Sequence, residues 1–117
     1  MSVSITGSSV VALASLLTNA QSGTTYTFVL TDANNTMVEF NNASAITATV
    51  PLNSSVAYPV GSQIQLLQTG AGQVTVAATG GVTLNGTPGL KLRTQWSSAT
   101  LIKRGTDTWV LVGDLSA

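Results

Sequence analysis

Few residues of this sequence could perform acid–base or nucleophilic chemistry. The 117-residue chain has four acidic and four basic residues, and it contains no histidine and no cysteine. Without histidine, the usual general base and transition-metal ligand are missing, and without cysteine, disulfides and thiolate metal sites are excluded. The acids are Asp32, Glu39, Asp107 and Asp114, and their spacing does not predict the paired carboxylates of a glycosidase. We therefore expect neither an enzyme nor a cofactor or metal.

The basic residues lie in the last third of the chain, at Lys91, Arg93, Lys103 and Arg104. One interpretation is a small basic patch that contacts an acidic partner or nucleic acid. The other, which we prefer, is charge that keeps exposed strands soluble and blocks pairing at sheet edges. Four such charges on a chain of zero net charge are weak support for phosphate binding, so nucleic acid is not an expected partner.

The two tryptophans, Trp96 and Trp109, could stack on a sugar or a base. Aromatic residues make up only 5% of the chain, and a small core needs large apolar side chains. We therefore prefer core anchors as the interpretation of both, and we keep Trp96 as a candidate interface residue.

An apolar run, Val10–Leu17, sets the N-terminal segment apart. No lysine or arginine precedes the run, so a secretory signal is not expected, and the run is too short to span a bilayer, so a membrane is not an expected partner. The pattern is compatible with a short helix capped by Ser8 or Ser9, or with a strand. The segment is either an arm that packs on a neighbouring subunit or a cover for one end of the domain's own core. Its candidate interface residues are Val10, Val11, Leu13, Leu16 and Leu17.

From Gly23 onward the pattern is that of strands and turns. Ile46–Val50 alternates apolar and polar residues, as a half-buried strand does. Gly70–Gly72 and Gly105–Asp107 are turn signals, and Asn85–Gly86 predicts a hairpin. Strands and turns at such short spacing predict an all-β domain, either an antiparallel β-sandwich or a small barrel.

The expected organisation is an N-terminal arm or short helix over residues 1–23 and a β domain over residues 24–117. Charged residues are 7% of the chain, against an average of roughly 25%. Hydrophobic residues are 44% and the mean hydropathy is +0.36, so the chain should fold rather than stay disordered. A folded surface with so few charges is poorly protected against association, and we expect the protein to bind copies of itself or a partner.

The second half of the chain resembles a module of tailed bacteriophages. A weaker similarity extends back to about Tyr26. The matching pieces are Gly61-Ser62-Gln63-Ile64, Gln68–Thr75, Gly81–Asn85, Leu90–Arg93, Gln95–Arg104 and Asp107–Asp114. In that family the module ends tail-fibre or minor tail proteins, often after a collagen-like segment, and it also occurs as a short protein on the virion head.

The resemblance implies a structural virion protein without catalytic residues. This chain has no collagen-like repeat, coiled coil or long shaft, so the resemblance favours a capsid decoration (cement) protein, a head protein on the outer surface of the capsid. The partners it implies are the phage major capsid protein and other copies of the chain in a homotrimer. The alternative is a tail-fibre or tail-tip module that binds a host-surface glycan through Trp96 or Trp109.

Overall fold

The computed structural model describes residues 15–117. Within this part, the chain forms eleven strands and a short 3₁₀ helix, Leu30–Ala33. None of the residues described belongs to a helix long and apolar enough to cross a membrane. The strands are β1 (Leu17–Gln21), β2 (Thr25–Thr27), β3 (Thr36–Phe40), β4 (Ile46–Val50), β5 (Gln63–Gln68), β6 (Val74–Ala78), β7 (Thr83–Gly86), β8 (Lys91–Leu92), β9 (Ser98–Gly105), β10 (Thr108–Gly113) and β11 (Leu115–Ser116).

The strands form two sheets, and the chain passes alternately between them in its first half. One sheet has six strands in the order β1-β3-β5-β9-β10-β7, and the other has five in the order β11-β8-β6-β4-β2. Strands β1, β3 and β5 pair in parallel, and so do β2, β4 and β6. Each strand of one sheet and the next strand of the other therefore make one coil, and three such coils stack as in a solenoid.

The second half departs from this stacking. Strands β9 and β10 form an antiparallel hairpin that lies between β5 and β7. In the other sheet, β8 and β11 pair antiparallel. The prediction of an all-β domain is confirmed. The antiparallel sandwich or small barrel is not confirmed, because the first three coils pair in parallel and stack like a solenoid.

The core fills the space between the two sheets, and it follows from alternating side chains. In β4, Ile46, Ala48 and Val50 are buried while Thr47 is exposed, as the period of two in a strand requires. Aromatic rings close the core edge to face, with Phe28 and Phe40 6.3 Å apart between ring centroids. Full burial of a phenylalanine side chain contributes about 1.5–3 kcal/mol to the stability of the fold.

The Gly70-Ala71-Gly72 sequence, which predicts a turn, lies where the turns of two stacked coils come close together. The turn over residues 69–73 packs on the turn over residues 41–45, and the Gly72 N–H donates to the Asn42 carbonyl at 2.7 Å. A Cβ atom on Gly72 would collide with the carbonyl oxygen of Ser44. Glycine is therefore required here because the two backbones of adjacent coils touch.

The hairpin predicted at Asn85–Gly86 is wrong. These residues end β7, which pairs in parallel with β10. A Cβ atom on Gly86 would lie 2.8 Å from the Gly89 carbonyl oxygen and 3.2 Å from that of Leu111. The glycine thus serves a close packing of backbones and not the tight turn that the Asn-Gly pair usually forms.

The segment over residues 1–23 is described only from Ser15 onward. Val10, Val11 and Leu13 lie outside the described residues, as does most of the alternative helix. Residues Leu17–Gln21 form β1, at the edge of the six-stranded sheet and in register with β3. The boundary predicted at residue 23 falls in the turn between β1 and β2.

The two sheets have two distinct ends. Leu67 of β5 is aligned with Ser98 of β9, and Gln63 with Ile102, so β5 ends where β9 begins. We call this the Trp96 end, and it holds the loops over residues 41–45, 69–73 and 93–97. The opposite end, which we call the Asp107 end, holds the loops over residues 28–35, 51–62, 79–82 and 106–107.

Candidate functional site at the Trp96 loop

The loop over residues 93–97 presents a tryptophan at the surface. Trp96 is 66% exposed and its backbone has a positive φ of 73°. A non-glycine residue in this region costs about 1–3 kcal/mol, and such residues cluster at functional sites. The preferred sequence interpretation, in which both tryptophans are core anchors, holds for Trp109, which is 1% exposed, and fails for Trp96.

Hydrogen bonds fix the loop on the end of β5. The Trp96 N–H donates to the Gln68 carbonyl at 2.6 Å, and the Gln68 N–H donates to the Ser97 carbonyl at 3.0 Å. Ser97 is 4% exposed, and its hydroxyl accepts the Thr94 N–H at 3.1 Å. The Gln95 side chain adds a hydrogen bond to the Thr69 carbonyl at 3.0 Å. The outward position of Trp96 is therefore set by its backbone, which is held on both sides.

Gln68 in turn holds the base of this loop. Its side chain is 1% exposed, accepts the Val74 N–H at 3.0 Å and donates to the Gly70 carbonyl at 3.2 Å. A buried amide with both groups bonded links the end of β5 to the start of β6. The Trp96 loop consequently rests on a rigid part of the coil.

An ion pair flanks the loop. Arg93 donates from Nε to Asp114 Oδ1 at 2.8 Å and from its terminal nitrogen to Oδ2 at 2.9 Å, which is the bidentate geometry typical of arginine and carboxylate. Ser97 Oγ donates to the same Oδ2 at 2.7 Å. The hydrogen bonds from Arg93 and then Ser97 lower the pKa of Asp114, while the bond to Asp114 raises the pKa of Arg93. Both charges stay ionised at neutral pH and stiffen the loop.

The predicted basic residues do not form one patch. Arg93 is exposed at the Trp96 end, Lys91 is half-buried in β8, and Arg104 is exposed towards the other end of β9. Lys103 is 2% exposed, so its assignment as an interface residue is corrected. Alternation in β9 places Lys103 on the inner face with Leu101, and its amine bonds two oxygens there.

The predicted apolar interface residues that are described lie far from Trp96. Leu16 and Leu17 are 52% and 59% exposed, at the start of β1 and hence at the Asp107 end. Val29, Leu30 and Val60 are exposed apolar residues of loops at the same end. The structure therefore separates the candidate interface residues into two groups at opposite ends of the sheets.

Two buried polar clusters were not predicted from the sequence. At one, the Asp32 carboxylate is 1% exposed and accepts hydrogen bonds from Asn19 Nδ2, Tyr26 Oη and the Val29 N–H, at 2.6–2.9 Å. Burial and then the bond to Asp32 raise the pKa of Tyr26, and burial raises that of Tyr58. Because Asp32 belongs to the 3₁₀ helix, these hydrogen bonds hold that helix in place. The second cluster surrounds Lys103.

A surface groove of about 450 Å³ lies beside β7 and β10. Asn85, Gly86, Thr87 and the segment Val110–Gly113 line it. None of these residues is titratable, so the groove offers no acid–base group for catalysis. Among residues 15–117 there is also no cluster of three acids that could hold a metal ion. The Trp96 loop can bind by stacking and hydrogen bonding.

No protein-family model matches this chain, and no curated protein matches it.

Proposed function

We propose that this protein is a non-enzymatic structural protein of a bacteriophage virion that decorates the outer surface of the assembled capsid, with the major capsid protein as its partner. The observation that carries the proposal is the fixed, exposed position of Trp96 on the same loop as Arg93. Tryptophan and arginine are the residue types most enriched among those that dominate binding energy at protein interfaces. A loop that is already ordered also binds with less loss of entropy.

The low charge of the chain supports the same proposal. A surface with only 7% charged residues in the whole sequence is suited to lie against other protein surfaces. In this proposal the two facing sheets act as one sandwich-like block. Trp96 contacts the capsid at one end of this block. The apolar residues of the Asp107 end contact other copies of the chain in a homotrimer. Multi-angle light scattering of the free protein tests the trimer, and a monomer at all concentrations would remove it.

The proposed activity is stabilisation by linkage. A protein that binds only the assembled shell shifts the equilibrium towards that shell by mass action. Shells saturated with the protein are expected to release DNA at a higher temperature than bare shells. An unchanged release temperature at saturation would contradict a cementing role.

Sedimentation of the protein with purified empty shells of a phage that encodes it tests the docking surface. Wild-type protein should sediment with the shells, and Trp96→Ala should lose most of this binding, because removal of a dominant interface residue costs about 2 kcal/mol or more. Thr47→Ala is the control, since Thr47 is exposed in β4 and belongs to neither of the two proposed contact surfaces. Equal binding of wild type and Trp96→Ala would exclude Trp96 from the interface.

The exposure of Trp96 also favours a second candidate, a tail-fibre or tail-tip module that binds a host-surface glycan. An exposed aromatic ring can stack on a sugar, and amide or guanidinium groups of the same loop can hydrogen-bond the sugar hydroxyls. Titration of the protein with host-surface polysaccharide, followed by tryptophan fluorescence, separates the two candidates. A saturable change that is lost in Trp96→Ala supports glycan binding, and no change, together with shell binding, supports decoration.

A further inference from the structure

Lys103 is a buried cation whose bonded partners are neutral. Its side chain is 2% exposed, and Nζ donates to Asn53 Oδ1 and to the Tyr58 carbonyl, both at 2.6 Å. Among the residues that the structure describes, one ion pair forms, between Arg93 and Asp114. No carboxylate of this part of the chain pairs with Lys103. A buried charge without an opposite charge is strongly unfavourable. The position therefore needs an explanation beyond packing.

Two aromatic residues and one carboxylate lie close to Lys103 and its partners. Trp109 is the residue of β10 aligned with Lys103, and its ring packs edge to face on Tyr58 with centroids 5.2 Å apart. The Asn53 backbone N–H donates to Asp107 Oδ1 at 2.7 Å, so a carboxylate is held at the residue that receives the lysine. Lysine amines act as nucleophiles in covalent chemistry on carbonyl groups.

The atoms are placed for a reaction between the two side chains. Nζ lies 2.6 Å from Asn53 Oδ1, and because a C=O bond is about 1.2 Å long, Cγ lies at most about 3.8 Å from Nζ. Reacting atoms in productive enzyme sites are held about 3–3.5 Å apart. A small rotation of the Asn53 amide would bring Cγ within that range.

We propose that Lys103 and Asn53 form an intrachain isopeptide bond. Nζ bonds to Cγ of Asn53, the Cγ–Nδ2 bond breaks, and Nδ2 leaves as ammonium after two protons pass to it from the Lys103 ammonium group. The atoms and the charge balance without an oxidant or another reactant. Asp107, whose carboxylate accepts the Asn53 backbone N–H, is the acid–base group that we assign to the proton transfer. The product is a neutral amide, which removes the unpaired charge from the interior.

Such a bond would join two parts of the chain that are 50 residues apart in sequence. It would tie the loop over residues 51–62 to β9, with the third coil inside the closed ring. The bond would resist denaturant and reductant, and it would hold the Asp107 end closed under mechanical load.

Mass spectrometry of the folded, purified protein under denaturing conditions tests the proposal. The intact mass should be lower than the sequence mass by one ammonia. Trypsin should yield residues 1–91 joined to residues 94–104, with no cleavage after Lys103. Lys91 is the internal control, because it is the other lysine of the chain: acylation in denaturant should modify Lys91 and leave Lys103 unmodified.

Two variants separate the bond from other losses of ammonia. Lys103→Arg keeps the cation but has no primary amine, so its mass should equal that of its sequence. Asn53→Asp can react with loss of water in place of ammonia. Succinimide formation at Asn85–Gly86 would give the same mass change without a joined peptide and would persist in Lys103→Arg.

The proposal is overturned if folded wild-type protein, after prolonged incubation, keeps its sequence mass and both lysines are acylated in denaturant. It is equally overturned if the loss of ammonia persists in Lys103→Arg. Because the first result is read from wild-type protein alone, poor folding of a variant does not affect it.

Discussion

Replacement of Trp96 by glycine should separate the two roles that a tryptophan can have in this fold. The change removes a side chain that is 66% exposed and relieves a backbone φ of 73°. Relief of a left-handed conformation is worth about 1–2 kcal/mol, and the added flexibility of glycine costs about 0.5–1 kcal/mol. The covered third of the ring, about 50–85 Å² of apolar area, contributes at most about 1–2 kcal/mol. The net loss of unfolding free energy should stay below about 2 kcal/mol.

Trp109→Ala is the matched comparison, since Trp109 is 1% exposed and packs on Tyr58. Truncation of a buried tryptophan costs about 3–5 kcal/mol. Equilibrium unfolding in urea, followed by far-ultraviolet circular dichroism, gives both changes. Each variant leaves one tryptophan, so acrylamide quenching of the native protein should be strong in Trp109→Ala and weak in Trp96→Gly.

The reasoning is refuted if Trp96→Gly loses as much stability as Trp109→Ala, or if the tryptophan that remains in Trp109→Ala is shielded from acrylamide. Either outcome would mean that Trp96 is part of the core in solution. In that case the exposed loop could not carry the proposed docking.

Two further predictions concern the fold. Gly72→Ala should lower the unfolding free energy by about 1–3 kcal/mol, because its Cβ meets the Ser44 carbonyl oxygen. Gly80→Ala, whose Cβ has nothing within 4 Å, should be neutral or stabilising by about 0.4–1 kcal/mol. Equal midpoints of the two variants in thermal unfolding would contradict the contact between coils. Tyr26 and Tyr58 are the two tyrosines of the chain, and the fold raises the pKa of both. Their contribution to the stability of the fold is therefore complete below their unfolded pKa of about 10. It is lost as the pH rises above that value. Ultraviolet absorbance should therefore show both ionising together with unfolding, and ionisation of either at its ordinary pKa in folded protein would contradict its burial.

The strand content could be predicted from the sequence because the signal is local. Ile46–Val50 alternates in the sequence and in the structure, and the loop at Gly105–Asp107 lies where the turn signal put it. The pairing of the strands could not be predicted, because it depends on the length of each coil. Leu17 is aligned with Thr36 and Met37 with Gln65, so the second step is much longer than the first and no sequence repeat marks the solenoid.

The candidate site was predicted in part. Trp96 and Arg93 were named from the sequence, but a tryptophan in a small core and one on a loop have the same composition signal, and the positive φ that turns Trp96 outward is a tertiary effect. Lys103 could have been placed correctly, since the period of two in Ser98–Gly105 puts it on the face of Leu101. Its partner Asn53 could not, because the contact spans 50 residues and the loop that carries Asn53 has no periodic pattern.

The central proposal is that this chain covers an assembled capsid, and its copy number in the virion tests that most directly. Quantitative mass spectrometry of purified virions of a phage that encodes the chain would compare it with the major capsid protein. The account predicts a copy number that is comparable with that of the capsid subunit, as expected for a protein at repeated positions of the lattice. A few copies for each particle would contradict decoration and would place the protein at the tail or at a unique vertex.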